Sequence, residues 1–201
     1  MPPKPKFTKD EIVSAALEVA RKDGINAVSA REVGKYLGTS SSPVFSAFKN
    51  MDELLDEVYS AALNEYSEYI SDSVNYVPVF KQFGFRLIQF AKSEPNLFKI
   101  IFEKPHTDIK YNDVVLSIPA ADICIESIMK QEKLGYEQSR LVFEDVLLTG
   151  FGICSMVSSN CCVIDDSDLD TYLGIAYKGS VLAVKTLNKV DYSVHPTKNK
   201  A

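Results

Sequence analysis

The chain has 201 residues, 46% of them hydrophobic, so it can bury a sizeable core in one large domain or two small ones. No stretch of eighteen residues is uniformly apolar and no signal-type segment follows the basic start, which argues against a membrane span and for a cytoplasmic protein. The net charge of −5 hides an asymmetry: residues 1–50 carry eight Lys/Arg against five Asp/Glu, a net +3, which leaves −8 on the rest. A mildly basic head on an acidic body suits a small nucleic-acid reader attached to a module that stays off the polyanion.

Residues 1–6 are rich in Pro and Lys and read either as a solvated tail or as a basic arm for a DNA backbone or minor groove. A first helix should start at Thr8, where Thr8 and Glu11 form a capping box and Phe7 staples on Ile12. Ile12, Ala15, Ala16, Val19 and Ala20 repeat as one buried stripe, and Gly24 ends the helix. A second helix repeats the pattern, with Ser29 and Glu32 as another box and Val28 stapling on Val33. Tyr36 and Leu37 add apolar surface, and Gly38 permits a sharp turn.

A third short helix should open at Ser40, with Pro43 in its first turn and Val44 and Phe48 facing inward. Its other face carries Ser41, Ser42, Ser46 and Ala47, small groups that stabilise a helix poorly but allow close approach to DNA. Residues 29–48 are thus two short helices around a tight turn, the helix-turn-helix device that lays its second helix in a major groove. Asn50 caps a long fourth helix, with Glu53 as a box-like partner, and this helix bridges head and body.

From Thr8 to about Leu55 the chain resembles the DNA-binding domain of the TetR family of bacterial transcriptional regulators. The resemblance rests on Ala15-Ala16, Gly24, the Val33…Leu37-Gly38-x-Ser40 turn, Val44-Phe45-x-x-Phe48 and Asp52-Glu53-Leu54-Leu55. Family members usually have Tyr where Phe45 stands, often His where Ala47 stands, and Lys where Met51 stands; the Tyr and Lys hold phosphates. In this sequence Lys49 and the first amides of helix four are the available substitutes, and Phe45, lacking the hydroxyl, reads more readily as packing. The residues expected to contact DNA are Ser29, Arg31, Lys35, Thr39, Ser40, Ser41, Ser42, Pro43, Phe45, Ser46 and Lys49.

The remainder reads as further helices at residues 79–92, 96–103, 119–133, 137–159 and 167–189, about nine in all, followed by a polar tail at 191–201. Residues 93–98, Ser-Glu-Pro-Asn-Leu-Phe, resemble a stretch found in one group of TetR-like C-terminal domains. The expected architecture is all-α: residues 1–50 a three-helix DNA-binding domain, residues 51–190 a helical regulatory and dimerisation domain. The resemblance implies that the last two long helices pair with those of a second copy. Their small residues (Gly150, Gly152, Ser155, Gly174, Gly179, Ser180, Ala183) fit that role and equally fit packing within one subunit.

No catalytic set is visible. His106 sits in a loop and His195 in the tail, without Ser/Asp or Cys partners, and no Gly-rich phosphate loop or H-E-x-x-H occurs. Cys124, Cys154, Cys161 and Cys162 lack metal-ligand spacing, so buried thiols are expected, with redox use of Cys161 or Cys162 the alternative. No enzyme activity, cofactor or metal is therefore expected. The TetR resemblance implies a small-molecule effector held in the body, for which Phe83, Leu87, Phe102, Tyr111, Ile125, Phe143, Leu147 and Phe151 are the candidate lining. The expected function is a ligand-responsive repressor binding palindromic operator DNA as a homodimer. Two other readings are a small-molecule-binding body with a vestigial head, and a head that grips a protein partner.

Overall fold

The computed structural model describes residues 6–104 and 110–186, with the side chains of 111 and 112 excluded. All but Lys104 of the loop expected at residues 104–108 with His106, the 191–201 tail with His195, and most of the basic arm lie outside the described residues. Among the described residues there are ten α-helices and no strand.

The head is built from α1 (Lys9–Asp23), α2 (Ala30–Tyr36) and α3 (Ser42–Ala47), closed by the first turns of α4 (Met51–Ser71). The α1 capping box is complete: Thr8 Oγ1 accepts from Glu11 N–H at 3.2 Å and Glu11 Oε2 accepts from Thr8 N–H at 2.7 Å. The box expected at α2 is half made. Ser29 Oγ accepts from Glu32 N–H at 3.3 Å, but the Glu32 carboxylate turns to Lys35 Nζ, also at 3.3 Å. Ile12, Ala15, Ala16, Ala20, Val33, Val44, Phe48, Leu54 and Val58 are buried as one core, each large side chain contributing roughly 1.5–3 kcal/mol.

Helix α3 starts two residues later than the sequence suggests. Ser41 is the N-cap without a side-chain bond, and Ser40 Oγ accepts from Ser42 N–H at 3.4 Å. Pro43 then occupies an early helical position where its missing N–H is no loss.

Helix α4 carries one buried edge, Leu54, Val58, Ala62, Tyr66 and Ile70, and packs on α1 at one end and on the body at the other. The body comprises α5 (Val79–Ser93), α6 (Pro95–Phe102), α7 (Tyr111–Leu116), α8 (Ala121–Glu132), α9 (Tyr136–Ser158) and α10 (Asp166–Thr186). The tenth helix relative to expectation is α7: six residues with little periodicity between two prolines give no helix signal. Helix α9 is long and apolar enough to cross a membrane by composition, with mean hydropathy 1.6 over eighteen residues. Here it is a core helix, packed against α5, α8 and α10.

Head and body are joined at the end of α1. The Arg21 guanidinium meets Glu18 at 3.0 Å, Glu65 of α4 at 2.6 Å and Glu94 at 2.7 Å. Burial alone would lower its pKa, but the hydrogen bonds from Glu65, Glu94 and Glu18 outweigh that and raise it. Asn96 Nδ2 donates to the carbonyls of Arg21 (2.9 Å) and Lys22 (3.2 Å), closing the free end of α1 from the body side. The Ser-Glu-Pro-Asn stretch is thus the clamp between the two parts.

Candidate nucleic-acid interface and regulatory cavity

The turn between α2 and α3 is held by backbone. Leu37 N–H donates to Val33 O at 3.0 Å, Gly38 N–H to Lys35 O at 3.1 Å, and Thr39 N–H to Gly34 O at 2.8 Å. Gly38 adopts φ +66°, as a glycine at this turn should. A second glycine matters more. A Cβ on Gly34 would stand 2.5 Å from Ser40 O and 2.7 Å from Ser40 C, so only hydrogen fits where the two helices meet. Periodicity gives no hint of this role; the one available signal is a glycine standing inside a helix at a cost of about 1 kcal/mol.

Val44 and Phe48 hold α3 from inside, as expected. The outer face presents Ser40, Ser42, Phe45, Ser46 and Lys49 to solvent, with Ser41 and Pro43 half-buried. Ser46 Oγ donates to Ser42 O at 2.9 Å. Phe45 does not pack: it is 63% exposed, because Val44 and Phe48 already fill the inward positions of a six-residue helix. Tyr36 is a second exposed ring on the head. Arg31 and Lys35 are exposed on α2, while Ser29 and Thr39 are half-buried at its two ends, Ser29 oxygen already spent on the cap.

At the start of α4, Asn50 Oδ1 accepts from Glu53 N–H at 2.9 Å, and Glu53 Oε2 accepts from Lys49 N–H at 2.8 Å. One of the helix-four amides expected to be free for phosphate, that of Glu53, is therefore engaged inside the protein, as is the Lys49 amide, leaving the Lys49 side chain exposed beside them. Glu53 also pairs with Lys9 at 3.0 Å, so α1, α3 and α4 are tied together behind the outer face. The Lys49 amide first, and then the Lys9 ammonium, hold the Glu53 carboxyl below its ordinary range.

In the body, a cavity of about 480 Å³ lies between α4, α6, α9 and the segment 114–119. Tyr59, Leu63, Phe98, Ile101, Phe102, Val115, Ile118, Leu147 and Phe151 make its wall; Glu103, Ser117 and Ser155 supply polar groups. Of the residues expected to line a pocket, Phe102, Leu147 and Phe151 lie here. Phe83, Leu87 and Phe143 instead meet in a nearly filled gap of about 20 Å³ between α5 and α9, and Ile125 is fully buried in the core. The Tyr111 side chain is outside the described residues. Sequence reasoning missed Tyr59 and Leu63, which sit four apart on one face of α4; their spacing is visible, but not that it faces a void.

A second cleft of about 330 Å³ shares Tyr59 and Glu103 with the first and reaches Ile25 and Asp52 in the head. Cys124 and Cys154 are buried thiols, each pushed up to about 12 chiefly by burial, while Cys161 is exposed. Among the described residues no cluster of His, Cys, Asp or Glu is arranged to hold a metal.

Residues 12–58 match the family model described as bacterial regulatory proteins, tetR family. No curated protein matches the chain. Among solved structures, a transcriptional regulator from Rhodococcus sp. Rha1 is similar in fold, with TM-score 0.57 and 14% identity over 88% of this chain and 97% of that one. SmeT, the repressor of the Stenotrophomonas maltophilia multidrug efflux pump SmeDEF, is 14% identical over 89% of this chain and 91% of its own, with TM-score 0.45. The TetR family protein ActR of Streptomyces coelicolor, in complex with (S)-DNPA, is 16% identical over 90% and 100%, with TM-score 0.48. The capped helices and glycine-locked turn thus lie in a stretch, residues 12–58, that is a domain of the kind described as bacterial regulatory proteins, tetR family.

Proposed function

We propose that the chain is a ligand-responsive, cytoplasmic transcriptional repressor that binds palindromic operator DNA as a homodimer, without enzymatic activity. The observation that carries this reading is α3, locked from inside by Val44 and Phe48 while Ser42, Phe45 and Ser46 face solvent. In this reading residues 1–50 read DNA, residues 51–190 regulate and dimerise, and 191–201 form a tail. Ser40, Ser41, Ser42, Pro43 and Ser46 approach bases and phosphates, with Ser29 and Thr39 at the ends of α2. Arg31, Lys35 and Lys49 attract phosphate, and Phe45 offers an apolar surface suited to a thymine methyl or a sugar. The exposure of Phe45 argues against a vestigial head, in which a ring released from contact has no reason to stay on a polar face.

Dimerisation is assigned to α9 and α10. On α9, Leu141, Leu148, Gly152 and Met156 form an exposed stripe at helical spacing; on α10, Tyr172, Ile175, Gly179 and Leu182 form another. A Cβ on Gly152 or Gly179 would meet nothing within 4 Å among the described residues, so packing among those residues does not call for a glycine there, which favours close approach of a second backbone. A mostly apolar small molecule is assigned to the 480 Å³ cavity, a size ordinary for ligand pockets. Its link to the head runs through the cleft that shares Tyr59 and Glu103 and through the Arg21–Glu94–Asn96 clamp. An effector that binds one spacing of the heads better than another shifts DNA affinity by that difference.

Selection of bound genomic fragments, followed by sequencing, tests the proposal. A repressor dimer returns a shared site with two-fold symmetry; fragments without a shared sequence would refute it.

A further inference from the structure

We infer that the cavity is completed across the dimer interface: a second copy of the chain closes its mouth, so effector binding and dimerisation strengthen one another. The inference rests on the dimer reading above and deepens it.

Leu148 and Ser155 join the two features. Leu148 lies on the exposed stripe of α9, Ser155 is exposed beside it, and each also lines the cavity. They are seven residues apart, about two turns, so they mark one edge of the opening. Leu147 and Phe151, on the inner shoulder of the same helix, form the wall behind them. The other shoulder of the stripe meets α10: Gln138 Nε2 donates to Val184 O at 3.0 Å, and Ser180 Oγ donates to Asp145 Oδ2. The stripe therefore runs between the cavity mouth on one side and α10 on the other, and whatever covers the stripe also overhangs the mouth.

In a single copy that edge is wet. Leu148 is 53% exposed although it lines a cavity whose wall is otherwise largely aliphatic and aromatic. A ligand seated against Phe98, Phe102 and Phe151 leaves its Leu148 side in water, whereas good pockets bury most of the ligand surface. Docking a second α9 and α10 over Leu148 and Gly152 removes that surface of protein and ligand together. Linkage then requires that each bound ligand tighten the dimer by the factor by which the dimer tightens that ligand, so two ligands tighten it by the square of that factor.

The test uses the full chain and N-phenyl-1-naphthylamine, a neutral fluorescent two-ring probe. Probe binding is titrated over protein concentrations spanning dimer dissociation, while sedimentation reports the oligomeric state. The expected result is probe affinity about tenfold weaker in monomer than in dimer, with saturating probe, one per subunit, tightening the dimer about a hundredfold. The double variant Ile175→Asp/Leu182→Asp, neither residue lining the cavity, supplies a monomer whose helicity is checked by circular dichroism; if it fails to fold, dilution of the wild type decides. Equal probe affinity in monomer and dimer, or no probe binding by the dimer, overturns the inference and leaves the dimer standing. A wild type that stays monomeric at every concentration overturns the dimer reading itself.

Discussion

Gly34→Ala puts a single methyl group against the geometry of the helix-turn-helix. In an unhindered helix this change gains about 1 kcal/mol of propensity. Here the new Cβ stands 2.5 Å from Ser40 O, 2.7 Å from Ser40 C and 3.0 Å from Ser41 N, all backbone atoms that cannot swing aside. A carbon and a carbonyl oxygen ordinarily meet no closer than roughly 3.3 Å, so α2 and the α3 turn must separate by roughly 0.8 Å. Overpacking of this kind costs about 1–3 kcal/mol, and against the propensity gain the net is a loss of about 0–2 kcal/mol. The larger effect falls on DNA. The turn shifts with the N-terminus of α3, and contacts worth about 1–3 kcal/mol each are misplaced, so affinity drops about tenfold or more. Urea denaturation and fluorescence-anisotropy titration with operator DNA measure the two effects separately. Gly38→Ala is the control: it meets no atom within 4 Å among the described residues, and its cost of about 1–2 kcal/mol comes from its φ of +66°. A Gly34→Ala protein more stable by the full helix-propensity gain and unchanged on DNA would refute the close approach.

Three further outcomes follow from particular side chains. Phe45→Tyr restores a hydroxyl to an exposed ring and should tighten DNA binding about tenfold, the worth of one hydrogen bond to a charged acceptor; no gain in anisotropy titrations would mean position 45 does not stand over phosphate. Tyr66 is fully buried with a hydroxyl that finds no partner among the described residues, and burial pushes its pKa well above the usual tyrosine value. Tyr66→Phe should therefore stabilise the protein by about 1 kcal/mol in urea denaturation, whereas a loss would reveal a buried partner for the hydroxyl. The Glu132 carboxylate is held below its ordinary range by the Lys185 ammonium at 2.7 Å and then by the Tyr177 hydroxyl at 2.8 Å. Its contribution is full above the ordinary carboxylate pKa of about 4.3 and fades as pH falls through its lower folded value. Wild type should thus exceed Glu132→Gln in stability at pH 7, with the gap narrowing as pH falls below about 4.3; a gap that does not narrow in acid would show that charge is not its source.

Local signals made most of the helices legible. The Thr8–Glu11 box and the Asn50 cap are side-chain chemistry at fixed offsets, and they place α1 and α4 correctly. The expected starts of α9 and α10, residues 137 and 167, fall within one residue of the observed Tyr136 and Asp166. Helix α3 was legible as an element but not in its start, because Pro43 leaves several serines equally able to precede it. Phe45 illustrates the limit: a ring on a short helix reads as packing until two inner residues are seen to fill the inward side. The cavity was the least legible feature. Aromatic stripes at Phe83, Leu87 and Phe143 look the same in sequence whether they close on one another, as they do, or line a void, as Phe102 and Phe151 do. Only the placement of α4 against α6 and α9 separates those cases. Gly34 belongs with the cavity in this respect, since its role is a contact across the turn rather than a property of its own helix.

The central claim, that the head is a working DNA reader, is tested most directly by the salt dependence of binding to a selected two-fold site compared with scrambled DNA. The account predicts a steep linear fall of log affinity with log salt, about one phosphate charge of that slope lost in Lys49→Ala, and binding to scrambled DNA weaker by about a thousandfold or more. A flat slope with no preference between the two DNAs would contradict it.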